Sequence, residues 1–480
     1  MLSQRIDKNG QEVLITWMPA EDARIVRKLD FLFLPIFSLM FTWMAIDRTN
    51  VSGVLTSTFL NDTSMTHDQA NTGVSLLWFG IILLEIPFNI VLHRVGPHYW
   101  IPGQVIVWGL VEVLQCRATN ASGWYAARLF LGLAESGFIP GGLYTLSRWY
   151  APDELTKRTA ALFLGPSVSA AFGSLISAGA LTLHGQGGLR GWQWIFIICG
   201  VSTIAAGLLA FALVPKSPYH TGKLFGGLFH LVGWFSEHEA DILVARQARR
   251  ADHQAAGSTL NIGWKDMCGL STFSVPLRRR PQHLGTTIIK SLGFSSIRAN
   301  LFNAPGSLLA GIFGIVLSAA VDRYNRFGYA ILFVGVWTLA GLIALYRLPV
   351  HSKSSWSFYV AYLVTQAAPS WQPINVTWLS RNFETPQKRA VAYAIHMGCS
   401  NLGGTYGNQV FRASDAPLYK TAWTVCISLG AVWLAVTVLQ ILGLRWANRV
   451  STKTLNPESQ AQLEEPTYAY SNGRRYRYYW

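Results

Sequence analysis

Six ionisable residues stand inside long apolar stretches of the first half of the chain: Asp47 and Arg48, Glu85, Glu112, Arg128 and Glu135. A charge at the centre of a membrane-spanning helix costs about 2.5–3.5 kcal/mol to insert, so each is a candidate for chemistry. Arg128 and Glu135 are seven residues apart, about two helical turns, which sets them along one face. If Asp47 and Arg48 face the same cavity, the four charges cancel with both acids ionised and leave one positive charge when either acid takes a proton. That arithmetic describes a proton-coupled anion site. An arginine released from its internal partner pairs a carboxylate bidentately, and desolvation lifts a carboxyl pKa toward the working pH. The alternative is a permanently paired ion network that only fixes helix packing. Glu85 lies in Glu85-Ile-Pro87-Phe-Asn89, where a proline beside a buried acid is the mark of a kink or gate, although a packing role is the one expected here. Glu112, near the outer end of its stretch, is expected to reach interfacial water. The second half offers neutral polar groups instead: Gln366, Gln372, Asn375, His396, Asn401 and Gln409, of which Asn375 and Asn401 are the expected substrate contacts.

Apolar helices are needed to hold such residues. Of 480 residues, 51% are hydrophobic and 13% charged, against about 25% charged in an ordinary soluble domain. A soluble enzyme is excluded on this ground, and no nucleophile elbow or phosphate-binding glycine loop marks an enzyme of another kind. Apolar stretches recur at 31–53, 71–92, 100–117, 122–146, 159–183 and 192–214, and again at 301–321, 328–348, 356–379, 390–411 and 419–445. Each is near the length of about 20 residues that crosses a bilayer. The expectation is an all-α polytopic membrane protein of eleven spans. The five cysteines are scattered without metal or redox spacing, and neither a metal nor a cofactor is called for. The basic excess of 15 belongs to short loops and to the tail GRRYRYYW, which suits anionic lipid rather than nucleic acid.

Orientation follows from the loops. Arg24, Arg27 and Lys28 precede the first span, Arg94 follows the second, and Arg148, Lys157 and Arg158 follow the fourth, whereas 54–70 has no Lys or Arg. The N-terminus is expected in the cytoplasm. Two sequons, at Asn61 and Asn120, then fall outside.

The stretch SRWYAPDELTKRTA from Ser147 is echoed by SRNFETPQKRAVA from Ser380, an offset near 233, and His93-Arg94 after the second span has a counterpart in Asp322-Arg323 and Arg326. Two homologous halves are implied. Residues 266–300 stand where a seventh span belongs, yet they carry Arg278, Arg279 and Arg280 in a row. The expected organisation is a tail at 1–30, a six-helix half at 31–214, a linker with a degenerate seventh span at 215–300, a five-span half at 301–446 and a tail at 447–480. Without that crossing, parity puts the basic loops of the second half on the unfavoured side.

The chain resembles the major facilitator superfamily and, within it, fungal allantoate permease-like members of the anion:cation symporter family. The resemblance rests on Asp47-Arg48-Thr-Asn50, Glu85-Ile-Pro87-Phe-Asn89, Arg128-Leu-Phe-Leu-Gly132-Leu-Ala-Glu135-Ser-Gly-Phe-Ile-Pro140, Arg148-Trp-Tyr, Gly188-Leu-Arg-Gly191-Trp-Gln-Trp194 and Pro-Lys-Ser-Pro218. It covers nearly all of the chain; an apparent insertion at 224–233 and the absent seventh span depart from it. It implies a fold of two pseudo-symmetric helical halves and proton-coupled uptake, by alternating access, of a small organic anion such as allantoate, ureidosuccinate, nicotinate, pantothenate, biotin or a sulfur-containing carboxylate. By position, Arg48 and Arg128 would hold the anion and Asp47 and Glu135 exchange protons, with Glu85, Pro87, Asp322, Arg323 and Arg326 as gating or structural positions. A monomer in the plasma membrane, with no cofactor and no nucleic-acid partner, completes the expectation. Two other readings are a drug:proton antiporter, of which Gly165-Pro166 is a partial mark, and a non-transporting or inactive product. On the missing span, the 480-residue form is expected to be incompetent and a longer transcript to carry substrate.

Overall fold

The computed structural model describes residues 2–6, 12–150, 158, 162, 165–221, 223–224, 229–230, 234–255, 286, 289–290, 293–348, 355–382, 386–407, 409–411, 413–415 and 419–453. The chain divides into two compact units, Met1–Ser258 with Pro281–Ala304 and Thr259–Arg280 with Pro305–Trp480. The first contains α1 (Pro19–Thr49), α2 (Val51–Leu55), α3 (Phe59–Asp62), α4 (His67–Val95), α5 (Pro97–Leu114), α6 (Ala121–Glu135), α7 (Phe138–Trp149), α8 (Gly165–Leu181), α9 (Gly191–Leu213) and α10 (Glu237–Ala255). Helix α11 (Ser296–Tyr324) starts in the first unit and ends in the second, which continues with α12 (Phe327–Arg347), α13 (Ser355–Gln366), α14 (Gln372–Arg381), α15 (Pro386–Gly407) and α16 (Lys420–Lys453). Two short antiparallel hairpins, Leu2–Ile6 with Glu12–Thr16 and Lys223–Leu224 with Phe229–His230, lie outside the apolar stretches. Strands this short leave no periodic trace in polar sequence.

Six helices among the described residues are long and apolar enough to cross a membrane: Pro19–Leu55, His67–Val95, Gly191–Leu213, Ser296–Val321, Phe327–Arg347 and Lys420–Trp446. Their surfaces invert the pattern of a soluble protein. On α4, Phe79, Leu83, Ile86 and Ile90 recur at helical spacing and are all exposed, whereas Asp47, Glu112, Arg128 and Glu135 are buried. Apolar side chains outward and charges inward is the arrangement that hydrocarbon as solvent selects. The helices approach closely where a side chain is lacking. A Cβ on Gly132 of α6 would stand 2.0 Å from the Leu77 carbonyl oxygen of α4, so this crossing requires glycine. In the second unit, Phe327, Ile331, Trp378, Leu379, Trp433 and Ile441 form a core of their own.

Two of the expected spans are broken. The stretch 122–146 divides into α6 and α7 around Ser136 and Gly137, and 356–379 divides into α13 and α14 around 367–371. The two breaks are separated by nearly the same offset as the repeated loop sequences, so the repeat extends to an interruption at the matched position in sequence.

Asn50 has helical angles (φ −60°, ψ −26°), which makes α1 and α2 one rod from Pro19 to Leu55. At its beginning, α10 is tied on by Lys28 to Glu239 (2.7 Å), Arg246 to Asp22 (3.3 Å) and His238 to Glu21 (3.7 Å). At its far end, Thr286 donates to the Ser52 carbonyl (2.7 Å), Asn300 Nδ2 donates to Thr56 Oγ1 (3.0 Å), and Lys290 and Ser296 both donate to the Thr56 carbonyl. Lys28 and Ser52 are about 36 Å apart along the rod at about 1.5 Å per residue, more than the hydrocarbon thickness of about 30 Å. The chain therefore joins opposite ends of α1 between Ala255 and Thr286. The expected degenerate span at 266–300 falls largely in this interval; apart from Thr286, Ile289, Lys290 and 293–300, it lies outside the described residues.

Candidate functional site

Asp47 and Arg48 are consecutive on α1, so their side chains leave the helix about 100° apart and reach different neighbours. Asp47 is fully buried and accepts a hydrogen bond from Thr203 of α9 (2.9 Å). Arg48 turns to α6, where its Nε donates to Glu135 Oε2 at 2.5 Å, with the guanidinium over the Trp78 ring at 5.1 Å. Its side chain is 11% exposed, while that of Glu135 is fully enclosed.

Glu135 is the last residue of α6, immediately before the break. Gly137 makes the break possible: its φ of +76° is left-handed, and a Cβ there would come within 3.2 Å of the Phe88 Cβ. A broken helix frees backbone groups that lipid cannot satisfy, and polar side chains on neighbouring helices satisfy them here. Gln104 of α5 donates to the carbonyls of Ala134 (2.8 Å) and Ser136 (2.5 Å), and the Ser136 hydroxyl donates to the Ile81 carbonyl of α4 (2.6 Å). Glu85 and Asn89 of α4 line the same break: the Glu85 carbonyl lies 3.5 Å from the position of a Gly137 Cβ and accepts from Asn89 Nδ2 at 2.6 Å. Pro87 lies within α4 between them.

Glu112 is not at interfacial water, as its place near a helix end had suggested. It is fully buried, accepts from Asn50 Nδ2 at 2.5 Å and also accepts from Gln115 Nε2. Position along a helix fixes depth but not lateral packing, and Asn50, at the junction of α1 and α2, reaches this carboxyl. Gln115 and Thr203 are partners that the sequence did not single out, and Asn50 entered only as part of a motif; Asn50 and Gln115 stand within a helical turn of an intramembrane charge, whereas nothing near Thr203 in sequence marks it.

Arg128 completes the cluster. It is 1% exposed and its guanidinium lies 4.5 Å from the Trp124 ring centroid. None of its three nitrogens has a hydrogen-bond partner among the described residues. Its electrostatic neighbours are, in order of strength, Glu112, Glu135 and Asp47. The network thus holds two arginines and three carboxyls. It sums to −1 with every acid ionised, to zero with one proton bound and to +1 with two. A buried guanidinium without acceptors costs several kcal/mol, and its planar fork presents the geometry that a carboxylate or phosphate fills bidentately.

In the second unit, Asn375 on α14 and Asn401 on α15 are both buried. Gln372 donates to Ser400 (3.3 Å) and Gln366 to Ser307 (3.4 Å), and His396 packs edge-on to Trp371. Arg323 and Arg326 are exposed at the turn from α11 to α12, where Asn325 adopts φ +52°. The Asp322 side chain lies outside the described ones.

A helical bundle that buries charges and turns its apolar side chains outward defines an integral membrane protein. The family is also shown: the model of the Major Facilitator Superfamily matches residues 37–408, and the chain belongs to it. Among relatives, it is 28% identical to "MFS-type transporter cnsO" of Penicillium expansum, over 87% of this chain and 82% of that one. It is 27% identical to the "Putative tartrate transporter" of Agrobacterium vitis, over 93% of this chain and 99% of that one. The crystal structure of the D-xylose-proton symporter shares the fold, with a TM-score of 0.63, 14% identity and coverage of 85% of this chain and 97% of that one. The protein is a secondary transporter of the major facilitator fold, a family whose members carry small molecules across membranes and are generally not enzymes.

Proposed function

We propose that the chain takes up a small organic anion together with protons, as a monomer in the plasma membrane with its N-terminus in the cytoplasm. The observation that carries this reading is the buried guanidinium of Arg128, which has no hydrogen-bond partner among the described residues. Arg128 is the anion's anchor, and Arg48 is the second arm of the clamp. At rest Arg48 is occupied by Glu135; a proton on Glu135 cancels that carboxylate and releases Arg48 to the substrate. Proton and anion therefore enter together because the same arginine cannot pair both carboxylates. Asp47 and Glu112 carry the remaining exchangeable proton, and Asn375 and Asn401 supply polar contacts from the second half.

Charge balance sets the stoichiometry. The neutral empty network holds one proton, so each negative charge brought by the substrate enters with one more. The relative named for tartrate, a carboxylate, supports the substrate class. The test is uptake by proteoliposomes of a labelled panel including allantoate, nicotinate, pantothenate and tartrate at two external pH values, each acid paired with its uncharged amide. Uptake of one acid but not its amide, faster at the lower external pH, supports the reading; equal uptake of acid and amide refutes it.

A further inference from the structure

At the beginning of α1 an open cavity of about 420 Å³ is lined, among the described residues, by Arg24, Arg27, Lys28, Phe31 and Leu32. These positions follow helical spacing and form one stripe. Its first two turns are basic and its next is apolar: Phe31 is 79% exposed and Leu32 is exposed beside it. From Phe31 to Ile46 the helix has no ionisable residue, so Phe31 marks the edge of the hydrocarbon layer. Arg27 lies about 6 Å and Arg24 about 10 Å back along the axis at about 1.5 Å per residue. The headgroup layer of one leaflet is about 5–8 Å deep, which puts Arg27 within it and Arg24 at its outer edge.

Four of the described acids at this end already face another base. Asp22 pairs with Arg246, Asp30 accepts from Nε and Nη2 of Arg158 (2.8 and 2.6 Å), Glu239 takes Lys28, and Glu21 faces His238. Arg24 and Arg27 form no close ion pair among the described residues, although Arg24 lies within Coulombic reach of Glu239, which Lys28 holds directly; Arg27 Nε donates to the Ala23 carbonyl at 3.4 Å. Two neighbouring arginines are thus left with positive charge directed at the headgroup layer, above an apolar step that an acyl chain covers.

We propose that this stripe is a binding site for an anionic phospholipid, with the phosphodiester on Arg24 and Arg27 and an acyl chain along Phe31 and Leu32. Charge complementarity and the apolar step select a lipid over free phosphate, and the site is independent of the substrate carried. It secures the start of α1, the helix that holds Asp47 and Arg48 at its other end.

The full-length protein in nanodiscs of phosphatidylcholine with a minor share of phosphatidylserine is delipidated mildly, and the retained lipid is measured by mass spectrometry. Phosphatidylserine should be enriched about thirtyfold over its share, at about fivefold per arginine. The enrichment should vanish in R24Q/R27Q and persist in R298Q, a control at the opposite end of α1. Equal enrichment in R24Q/R27Q overturns the proposal, as does displacement by millimolar inorganic phosphate, which would mean a phosphate site only. Should the double variant misfold, a photo-crosslinking phenylalanine analogue at Phe31 in the otherwise unchanged chain decides the matter. Preferential labelling of phosphatidylserine supports the site, and labelling of both lipids in proportion to their abundance overturns it.

Discussion

Replacing Glu135 with glutamine removes the carboxylate that competes with the substrate for Arg48 while keeping nearly the same shape. In the wild type, an anion that recruits Arg48 must first open a pair 2.5 Å long whose acid is fully enclosed. Separating one partner of a buried pair costs about 3–5 kcal/mol. Because Arg48 retains 11% exposure, the lower figure applies, which is about a hundredfold in affinity at about 1.4 kcal/mol per decade. Glu135→Gln should therefore bind the anion about a hundredfold more tightly than the wild type at pH values where Glu135 is ionised, with the two converging once it is protonated. The wild-type Kd should fall about tenfold per unit of acidification within the titration window of the pair, since one proton enters with each anion, and the variant should be flat. Equilibrium binding in detergent across that window measures both slopes. In proteoliposomes the variant should still exchange labelled for unlabelled substrate while losing accumulation driven by a proton gradient. A variant that keeps the wild-type pH slope, or that accumulates substrate as the wild type does, would remove Glu135 from the coupling step.

Arg128→Lys keeps the charge but loses the fork and the stacking on Trp124; substrate affinity should fall about ten- to a hundredfold, and wild-type affinity in this variant would show that Arg128 does not touch the anion. Single cysteines at Asn61 and Arg298 should react with an impermeant reagent from the same side of the membrane, and a cysteine at Arg24 from the other, because Thr286 and Asn300 are bonded to the far end of α1; labelling of Arg24 and Arg298 from one side would contradict that placement. The clamp of α10 on α1 should fail in acid. Burial raises the Glu239 carboxyl, but hydrogen bonds from Lys28 and the Ser236 amide outweigh it and hold the carboxyl below its ordinary value. A depressed carboxyl stabilises the folded form above its unfolded pKa of about 4.3 and loses that contribution as pH falls through the lower folded value. Amide protection in α10, corrected for intrinsic exchange, should therefore be flat down to about pH 5 and fall below about pH 4; protection unchanged to the lowest pH would assign the clamp to its apolar contacts.

The charges of the site were legible because lipid makes them costly: Asp47, Arg48, Arg128 and Glu135 stand out in apolar runs, and they do come together. Their pairing was not legible. That Arg48 takes Glu135 and leaves Arg128 without an acceptor depends on how α1 rotates against α6, which one sequence does not encode locally. Glu112 was misplaced for a related reason, since distance from a helix end measures depth, whereas its carboxyl is enclosed and held by Asn50 and Gln115. The repeat was visible in loop sequence, but the break at Gly137 was not, because glycine is common in membrane helices and only the left-handed φ distinguishes this one. The passage between opposite ends of α1 was hidden by three consecutive arginines that outweigh any local hydropathy argument. Contacts at Ser52 and Thr56, more than 200 positions away in sequence, reveal it.

The most direct test of the account is the ratio of protons to anions carried by the purified 480-residue chain in sealed proteoliposomes. An internal pH indicator and a labelled substrate are followed in the same vesicles, with the membrane potential clamped at several values. A network of two arginines and three carboxyls that binds its substrate at zero net charge predicts one proton per negative charge, hence electroneutral uptake independent of potential. Anion uptake without internal acidification, or uptake that follows the potential at a fixed proton gradient, would contradict it.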